Sequence, residues 1–351
     1  MRVMRATGRL QLHQYIERGS GSIRTERLYG DPLLRRLYAA PWEHAPWLLH
    51  TLTSARMSQL LGFILYDLPV GHRAGGMGGF IRALDIDLRE CLEPADQLDS
   101  PRKLFERKLR YAEVRPMADD PGTVVSPCDA RVLVGSLAAE STLFLKGKFF
   151  ELDELLGWQR AWREAFQDGC FAIFRLTPDK YHYNHAPVSG IVRERYEIAG
   201  CYHSCNPGPV VAVVTPYSKN ARVLTIIDTD VLDGTGIGLV AMIEIAALMI
   251  GRIEQCYSDT GYDDPRPVDK GLFLRKGQPK SLYRPGSSTT VLLFQPDRIA
   301  FCEDLLRNRF RPGVESRFSS GFGRPLVETD LAVRSPIARN LRQPGGGVHA
   351  R

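Results

Sequence analysis

The pattern of hydrophobic and polar positions divides the chain into a helical N-terminal part and a β-rich part that follows it. Between residues 45 and 67, apolar side chains recur at nearly helical spacing. Two further segments, Phe80–Cys91 and Ser100–Leu109, also have the character of helices. From Thr123 onwards, short apolar runs alternate with Pro, Gly and Asn, which predicts strands joined by turns. The runs are Arg131–Gly135, Cys170–Leu176, Val210–Val214, Arg222–Ile227 and Thr289–Phe294.

The longest apolar run, Leu239–Ile250, is compatible with either a helix or a buried strand. Its Ala, Leu and Met content favours a helix, whereas its length and flanking glycines also fit a strand. Glu244 interrupts it, and it is shorter than the roughly 20 apolar residues that a membrane-spanning helix needs. The N-terminus lacks a basic stretch followed by a small-residue cleavage site. We therefore expect neither a transmembrane helix nor a signal peptide.

The two ends of the chain differ in composition from the rest. Residues 1–45 are rich in arginine and contain Gly-Ser-Gly-Ser at Gly19–Ser22, which predicts a loosely ordered arm. From residue 312 the sequence turns to Pro, Gly, Ser and Arg, which predicts a flexible tail. The predicted organisation is thus an arm (1–45), a helical region (46–115), a β-rich core (116–311) and a tail (312–351).

Charge and cysteine content narrow the range of partners and compartments. The 46 Lys and Arg residues exceed the 40 Asp and Glu residues, and the net charge of +6 favours anionic partners such as a membrane surface or nucleic acid. The 7 cysteines form no CxxC pair and are odd in number, unlike a disulfide framework. We therefore expect a reducing, cytosolic setting.

Two histidines, His182 and His185, stand three residues apart in the segment Tyr-His-Tyr-Asn-His-Ala-Pro. One interpretation is a metal site whose further ligands share one face of a strand. Those ligands would be Cys201, His203 and Cys205. The other is that all of them are packed or hydrogen-bonded side chains. Because no CxxC or HExxH spacing accompanies them, we predict no metal.

Two further segments contain residues that could act in catalysis. In Ser126-Pro127-Cys128-Asp129, an aspartate follows a proline at the start of the β-rich region. In Arg284-Pro285-Gly286-Ser287-Ser288-Thr289-Thr290, a Gly-Ser-Ser turn leads directly into an apolar strand. Either segment alone is typical of an ordinary turn.

Together and in this order, the three segments resemble those of the phosphatidylserine decarboxylase family. That family carries Ser-Pro-x-Asp, Tyr-His-x-x-His-x-Pro, and Gly-Ser-Thr or Gly-Ser-Ser before an apolar strand. Similarity continues between the motifs, notably at Phe105–Leu109, Arg115-Pro116 and Phe144–Lys148, and covers roughly residues 85–295. Such ordered agreement is much harder to obtain by chance than any single motif.

The resemblance implies a proenzyme that cuts its own backbone between Gly286 and Ser287. Ser287 would attack the Gly286 carbonyl, with His185 as the base and Asp129 holding the useful imidazole tautomer. Elimination and hydrolysis would convert Ser287 into a covalent pyruvoyl cofactor, so the larger chain ends at 286 and the smaller chain begins at 287. Ser288 leaves open a cut one residue later, although the family pattern favours Ser287.

The resemblance also implies the reaction of the processed enzyme. The pyruvoyl group would form a Schiff base with phosphatidylserine and release CO2 to give phosphatidylethanolamine, a step of phospholipid biosynthesis. His182 is expected to return a proton to Cα and to orient the substrate carboxylate. The expected partners are phosphatidylserine and an anionic membrane surface, without nucleic acid. The expected location is peripheral, on the cytoplasmic side of the cell membrane, with residues 45–67 resting on the lipid.

The implied fold is α+β, with N-terminal helices packed on a β-rich, mostly antiparallel catalytic core. The segment after the cut would supply a core strand and keep the two chains associated; a homodimer is left open. Three positions depart from the family pattern: Ala130, Lys180 and Pro285. Two alternatives remain open. The substrate could be another amine, such as an aromatic amino acid or an archaeal-type serine lipid, or the chain could be a non-catalytic lipid- or nucleic-acid-binding relative.

Overall fold

The computed structural model describes residues 12–28, 31, 53–66, 76–138, 149–213, 215–248, 252–286 and 288–342. Several predictions concern residues outside these ranges: Ser287, Phe144–Lys148 and the first part of the segment 45–67.

The strands of the described residues form one large and two small sheets. In chain order they are β1 (Gln14–Glu17), β2 (Ile23–Thr25), β3 (Thr123–Val125), β4 (Ala130–Ser136), β5 (Cys170–Leu176), β6 (Tyr183–His185), β7 (Gly190–Ile198), β8 (Arg222–Asp228), β9 (Leu239–Ala246), β10 (Ile253–Gln255), β11 (Phe273–Leu274), β12 (Pro279–Tyr283), β13 (Ser288–Phe294), β14 (Ile299–Phe301), β15 (Thr329–Leu331) and β16 (Pro336–Asn340). The large sheet has the order β11-β7-β8-β9-β13-β5-β4-β15-β1-β2. The small sheets have the orders β10-β12-β6 and β14-β16-β3.

Short helices connect and flank these strands. In the described part of the chain the α-helices are Ala55–Tyr66, Gly76–Leu84, Pro101–Phe105, Tyr111–Val114, Leu152–Leu155, Arg160–Phe166, Pro207–Ala212, Pro216–Lys219, Glu303–Arg309 and Arg317–Phe322. The strand pairs are antiparallel except for the parallel pair β1–β15. The predicted α+β class is therefore confirmed, whereas the packing of N-terminal helices on the core stays a prediction.

Strand β13 shows why the sequences of the core strands are continuous apolar runs. Leu292 and Phe294 pack in one hydrophobic cluster, while Val291 and Leu293 pack in a second cluster on the opposite face. Successive side chains of a strand point to opposite faces, so a strand buried on both sides needs apolar residues at every position. The large sheet therefore has a core on each face, with β13 at its centre.

The ambiguous run Leu239–Ile250 contains strand β9, Leu239–Ala246. The neighbouring prediction was wrong: Val210–Val214 was expected to be a strand, but a helix spans Pro207–Ala212. The Asn206 side chain accepts a hydrogen bond from the Gly208 amide, and proline occupies the first turn. This N-terminal capping outweighs the β preference of two adjacent valines.

Both ends of the chain are more ordered than their composition predicted. Residues 12–28 of the supposed arm contain β1 and β2, and residues 312–342 of the supposed tail contain a helix, β15 and β16. Those two predictions are wrong for these residues. The reason lies in tertiary contacts, because the buried Arg175 guanidinium binds Glu26 from one end and Glu328 from the other. The amino-acid composition of a segment does not reveal such long-range ion pairs.

The helical region begins with Ala55–Tyr66, on which Leu60 and Phe63 are about half exposed. Farther on, Ser100 caps the helix Pro101–Phe105 by accepting a hydrogen bond from the Lys103 amide. Within the described ranges, no helix has both the length and the apolar character required to cross a bilayer.

Candidate active site

The junction after Gly286 lies where the chain leaves one sheet and enters another. Strand β12 belongs to a small sheet and pairs with β6, whereas β13 lies between β5 and β9 in the large sheet. Gly286, the last described residue before the junction, is buried and has φ of 147°. Side chains other than glycine rarely adopt this conformation. A glycine at this position is therefore required by the backbone.

Strand pairing brings His182 near this junction and places His185 opposite Pro279 of β12. Leu282 of β12 is in register with Tyr183 of β6, between the histidines in sequence. The Tyr283 amide donates a hydrogen bond of 3.1 Å to the His182 carbonyl. The Tyr283 hydroxyl donates to the Thr289 carbonyl at 2.8 Å, on the far side of the junction. One tyrosine thus connects the histidine segment with both flanks of the predicted cut.

Both ring nitrogens of His185 are engaged. Its Nδ1 is 2.8 Å from the Gly277 carbonyl oxygen, which can only accept, so Nδ1 carries the hydrogen. Its Nε2 is 2.9 Å from the Tyr181 hydroxyl. Burial lowers the pKa of His185 to about 4, so the ring is neutral near pH 7. Nε2 is therefore the acceptor, and Tyr181 donates to it.

Among the described residues, one ring nitrogen of His182 has no hydrogen-bond partner. Its Nδ1 donates to the Lys180 carbonyl at 2.8 Å, and its ring stacks on Phe105 with the ring centroids 3.5 Å apart. The Nε2 atom is buried and makes no hydrogen bond with any described residue. Burial, followed by the charge of Arg107, lowers the pKa of His182 well below its ordinary value. His182 is thus a neutral imidazole with a fixed tautomer and a free lone pair.

Asp129 is buried immediately before β4. Arg115 donates to both carboxylate oxygens, at 3.1 and 3.0 Å, and the Val333 amide donates at 2.7 Å. Burial alone would raise the pKa of Asp129, but the charge and hydrogen bonds of Arg115 outweigh it, and the pKa is lowered. The carboxylate is therefore ionised near pH 7.

The predicted contact between Asp129 and His185 is replaced by other contacts in this structure. The Gly277 carbonyl, rather than the Asp129 carboxylate, holds the tautomer of His185. The Asp129 carboxylate instead accepts hydrogen bonds from Arg115 and from the Val333 amide. The negative charge of Asp129 nevertheless acts on both histidines and raises the pKa of each against the effect of burial.

Sequence reasoning missed a buried polar network behind β6 and β12. Its members are Asn184, Glu244, Gln255, Lys280, Ser281, Tyr283 and Thr290. The Lys280 ammonium binds the Glu244 carboxylate at 2.8 Å, and both side chains are fully buried. The interruption of the apolar run by Glu244 was a signal for it, because a buried carboxylate needs a partner.

Two of the residues that depart from the family pattern have identifiable surroundings. The Lys180 ammonium forms an ion pair of 2.7 Å with Asp330 of β15. This lysine therefore helps to attach the C-terminal segment close to the histidines. Pro285 is buried beside Gly286, and its peptide bond is trans.

The cysteine and histidine group suggested as additional metal ligands does not form a strand face. Cys201, His203 and Cys205 lie in the connection between β7 and the helix Pro207–Ala212. The Cys205 sulfur accepts a hydrogen bond from the Thr289 hydroxyl at 3.0 Å, just beyond the junction. Cys205 therefore contacts strand β13, which follows the predicted cut.

A separate buried group contains His13, Glu26 and Glu328, whose potential ligand atoms lie within 4.8 Å of one another. Arg175 binds both carboxylates, and Arg131 also binds Glu26. Guanidinium groups already neutralise these carboxylates, so the group is an ion-pair cluster. Its place in the fold is structural, because it joins the two ends of the chain.

Comparison with known proteins identifies the family. A model of the phosphatidylserine decarboxylase family matches residues 102–320. The chain is 27% identical over 309 residues to the phosphatidylserine decarboxylase proenzyme of Fusobacterium nucleatum, covering 88% of this chain and 95% of that relative. It is 30% identical over 312 residues to the protein of the same name from Nitrosococcus oceani, covering 84% and 95%. For the Chlamydia trachomatis protein the identity is 32% over 243 residues, covering 69% and 74%.

These matches extend well beyond the three motifs and span both histidines, Asp129 and the Gly286 junction. They confirm the resemblance and the interpretation of the chain as a carboxy-lyase. The chain belongs to the phosphatidylserine decarboxylase family.

Proposed function

We propose that this chain is the precursor of a phosphatidylserine decarboxylase that cuts itself between Gly286 and Ser287. The observation that carries the proposal is the free Nε2 of His182, on a segment hydrogen-bonded to the strand that leads into the junction. Related proteins named proenzymes support processing of the chain. The buried surroundings of Gly286 support an intramolecular reaction, because bulk water is excluded from them.

The hydrogen bonds favour an exchange of the two roles predicted for the histidines. A general base needs an available lone pair, and His182 has one, whereas both nitrogens of His185 are occupied. The Lys180 carbonyl keeps the hydrogen on Nδ1 of His182 and so leaves Nε2 as the acceptor. We therefore assign the deprotonation of the Ser287 hydroxyl to His182 and the return of a proton to Cα to the imidazolium form of His185.

Asp129 supports both steps through its charge. When an imidazole takes up a proton it becomes a cation, and a nearby buried carboxylate stabilises that cation. Arg115 keeps Asp129 ionised and in place. Gly286 contributes by presenting a carbonyl carbon that no side chain shields, in a conformation that other residues rarely adopt.

The residues around the junction fit a pyruvoyl group derived from Ser287. Such a group supplies a ketone that condenses with the substrate amine and accepts electrons as CO2 leaves. The tyrosines around His185 would exclude water from the site and hold the imidazole.

A lipid substrate agrees with the surface of the helical region. Leu60 and Phe63 are three residues apart on the helix Ala55–Tyr66, and each exposes about half of its side chain. Residues three apart lie on the same side of a helix, so these two apolar groups can enter a bilayer surface together. The net charge of +6 favours anionic lipid.

The proposal is tested first by the state of the purified chain. A denaturing gel with intact-mass analysis should show two pieces, with the smaller one beginning at residue 287 and blocked to N-terminal sequencing. Ser287→Ala should leave a single full-length chain, whereas Ser288→Ala should still be cut. His182→Ala should stop scission, and His185→Ala should permit scission but lose at least about a hundredfold in turnover. A full-length chain in catalytically active protein contradicts the proposal.

The substrate is tested separately with the processed enzyme. We expect CO2 release from vesicles containing phosphatidylserine and none from free tryptophan. Release from tryptophan but not from the vesicles would contradict the lipid substrate and leave the processing reaction standing.

A further inference from the structure

A buried arginine near the candidate site has no acidic partner in the described part of the chain. The Arg107 guanidinium donates hydrogen bonds to two backbone carbonyls, those of Leu104 at 3.0 Å and Asp179 at 2.9 Å. Three carboxylates attract it from beyond ion-pair distance, and two of them already bind Arg115. Because a guanidinium keeps its charge in a protein, Arg107 is a buried cation without a counter-ion among these residues.

Arg107 lies close to His182. Asp179, whose carbonyl it binds, comes three positions before His182 in the chain. Phe105, two positions before Arg107, stacks its ring on the His182 imidazole. The pKa of His182 is lowered by burial and then by the charge of Arg107. An anion bound by Arg107 would therefore lie near this imidazole.

Arg107 also lines a narrow cleft at the helical region. Among the described residues that line this cleft, Arg107 alone is charged. The other walls are largely apolar or aromatic and include Tyr66, Phe80, Leu84, Ile86, Leu104 and Pro178. Tyr66 follows Phe63 by one helical turn, and Phe63 is one of the two apolar groups proposed to enter the bilayer surface. The cleft thus adjoins the surface proposed to meet lipid.

We propose that Arg107 binds the phosphodiester of the lipid substrate. This inference rests on the proposed function. In phosphatidylserine the phosphodiester joins the reacting serine to the glycerol and its acyl chains, which suits an arginine that lies near the imidazole and lines an apolar cleft. Its two hydrogen bonds leave three of its five N–H groups for phosphate oxygens, which a guanidinium can bind in pairs.

The substrate carboxylate is a poor partner for Arg107. This group leaves as neutral CO2, so an ion pair with it would stabilise the substrate more than the transition state and would slow the reaction. The phosphodiester keeps its negative charge throughout. An arginine that binds it stabilises substrate and transition state alike, and so lowers KM without changing kcat. Free amino acids lack this group, so Arg107 would also select lipid over them.

Kinetics of the processed variants distinguish this role from a structural one. With short-chain phosphatidylserine, Arg107→Met should raise KM at least about tenfold with little change in kcat, because charge-assisted hydrogen bonds to the substrate are lost. Self-cleavage should be retained, since it involves no phosphodiester. Arg222→Met is the matched control, because Arg222 is likewise buried and bound by backbone carbonyls but does not line the cleft. It should lower stability without changing KM.

A binding measurement needs no turnover. Dihexanoyl phosphatidylethanolamine carries the phosphodiester and lacks the carboxylate. Calorimetry with processed enzyme should show at least about tenfold weaker binding of this lipid to Arg107→Met than to the wild type or to Arg222→Met. Should Arg107→Met fail to fold, Arg107→Lys replaces the fork of N–H groups by a single ammonium and should still weaken binding.

The inference and the proposed function fail in different ways. Equal binding of this lipid to the wild type and to a folded Arg107 variant would overturn the inference alone. Absence of self-cleavage in the wild-type chain, or of CO2 release from phosphatidylserine vesicles, would instead overturn the proposed function.

Discussion

The two histidines of the site differ in what their ring nitrogens can still bind. His182 and His185 belong to the same short motif, yet one keeps a free Nε2 and the other donates to Gly277 and accepts from Tyr181. Both are neutral, because burial disfavours the imidazolium form. Neutral, buried histidines also make the stability of the precursor depend on pH.

We predict that the uncut Ser287→Ala precursor loses stability as the pH falls from about 7 to about 5. The unfolded chain takes up a proton on His185 near its ordinary pKa of 6.5, whereas the folded chain resists until about 4. Protons therefore favour the unfolded state within this window, and His185 contributes a loss of about 2 kcal/mol between these two pH values. His182 acts with the same sign. Urea unfolding at several pH values measures the free energy of unfolding.

His185→Gln in the same background should flatten this dependence. The Glu26 carboxylate does not obscure it, because its pKa is lowered to about 2 and its contribution is lost only below the ordinary value of 4.5. An equal free energy of unfolding at about pH 7 and about pH 5 would contradict the prediction.

Sequence reasoning identified the reacting residue types but not all of their contacts. The motifs singled out Asp129, His182 and His185, and strand pairing brings His182 near the Gly286 junction. The roles of the histidines depend on their hydrogen-bond partners. One of these partners, the Gly277 carbonyl, lies 92 positions from His185 in the sequence. No local pattern encodes such a contact.

At the scale of elements, the site depends on how β12 and β13 are held on either side of the junction. Tyr283 binds Thr289 and Thr290 of β13, and Thr290 donates to Asn184 of β6. Asn184 in turn donates to Glu244. The network thus connects four strands through fully buried polar groups, and the Lys280–Glu244 ion pair belongs to it.

We predict that Lys280→Met lowers the free energy of unfolding of the Ser287→Ala precursor by about 3–5 kcal/mol. The substitution leaves the Glu244 carboxylate buried without its cation. Adding Glu244→Gln should recover most of the loss, because the buried charge is then gone. Denaturant unfolding measures each change.

Arg160→Met serves as the control, since Arg160 pairs with Glu164 on an exposed helix surface, where ion pairs contribute little. It should leave the unfolding midpoint unchanged. If Lys280→Met has as little effect as Arg160→Met, the buried pair does not stabilise the strands around the junction.

Elements were predicted best where burial alone shapes the sequence. Strand β5 begins and ends where its apolar run does, at Cys170–Leu176. The predicted strand Val210–Val214 is wrong because capping by Asn206 starts a helix there. Leu239–Ile250 could not be assigned, since a strand buried on both faces has no alternation to distinguish it from a buried helix.

At the scale of the whole molecule, the strands that follow the junction pair with strands that precede it. Strand β13 pairs along its full length with β5 and β9. Later in the chain, β15 joins β4 to β1, and β16 pairs with β3. The residues on the two sides of the predicted cut therefore share the same sheets.

We predict that the two pieces of the processed protein stay together without a covalent link. Val291, Leu292, Leu293 and Phe294 are fully buried, and separation would expose them to water together with the backbone groups of the two neighbouring strands, β5 and β9. The pieces should co-elute in gel filtration under native conditions and separate only in denaturant. Elution of the small piece by itself in plain buffer would contradict this prediction.

The sequence by itself determined the family, the position of the predicted cut and most core strands. These follow from local order: three motifs in sequence, a glycine before a serine, and apolar runs that a buried sheet requires. Only the tertiary structure decided which histidine keeps a free nitrogen, which groups bind Asp129, and how the chain ends join the large sheet. Those features depend on hydrogen bonds and ion pairs between residues far apart in the chain, and such contacts exist only once the strands have paired.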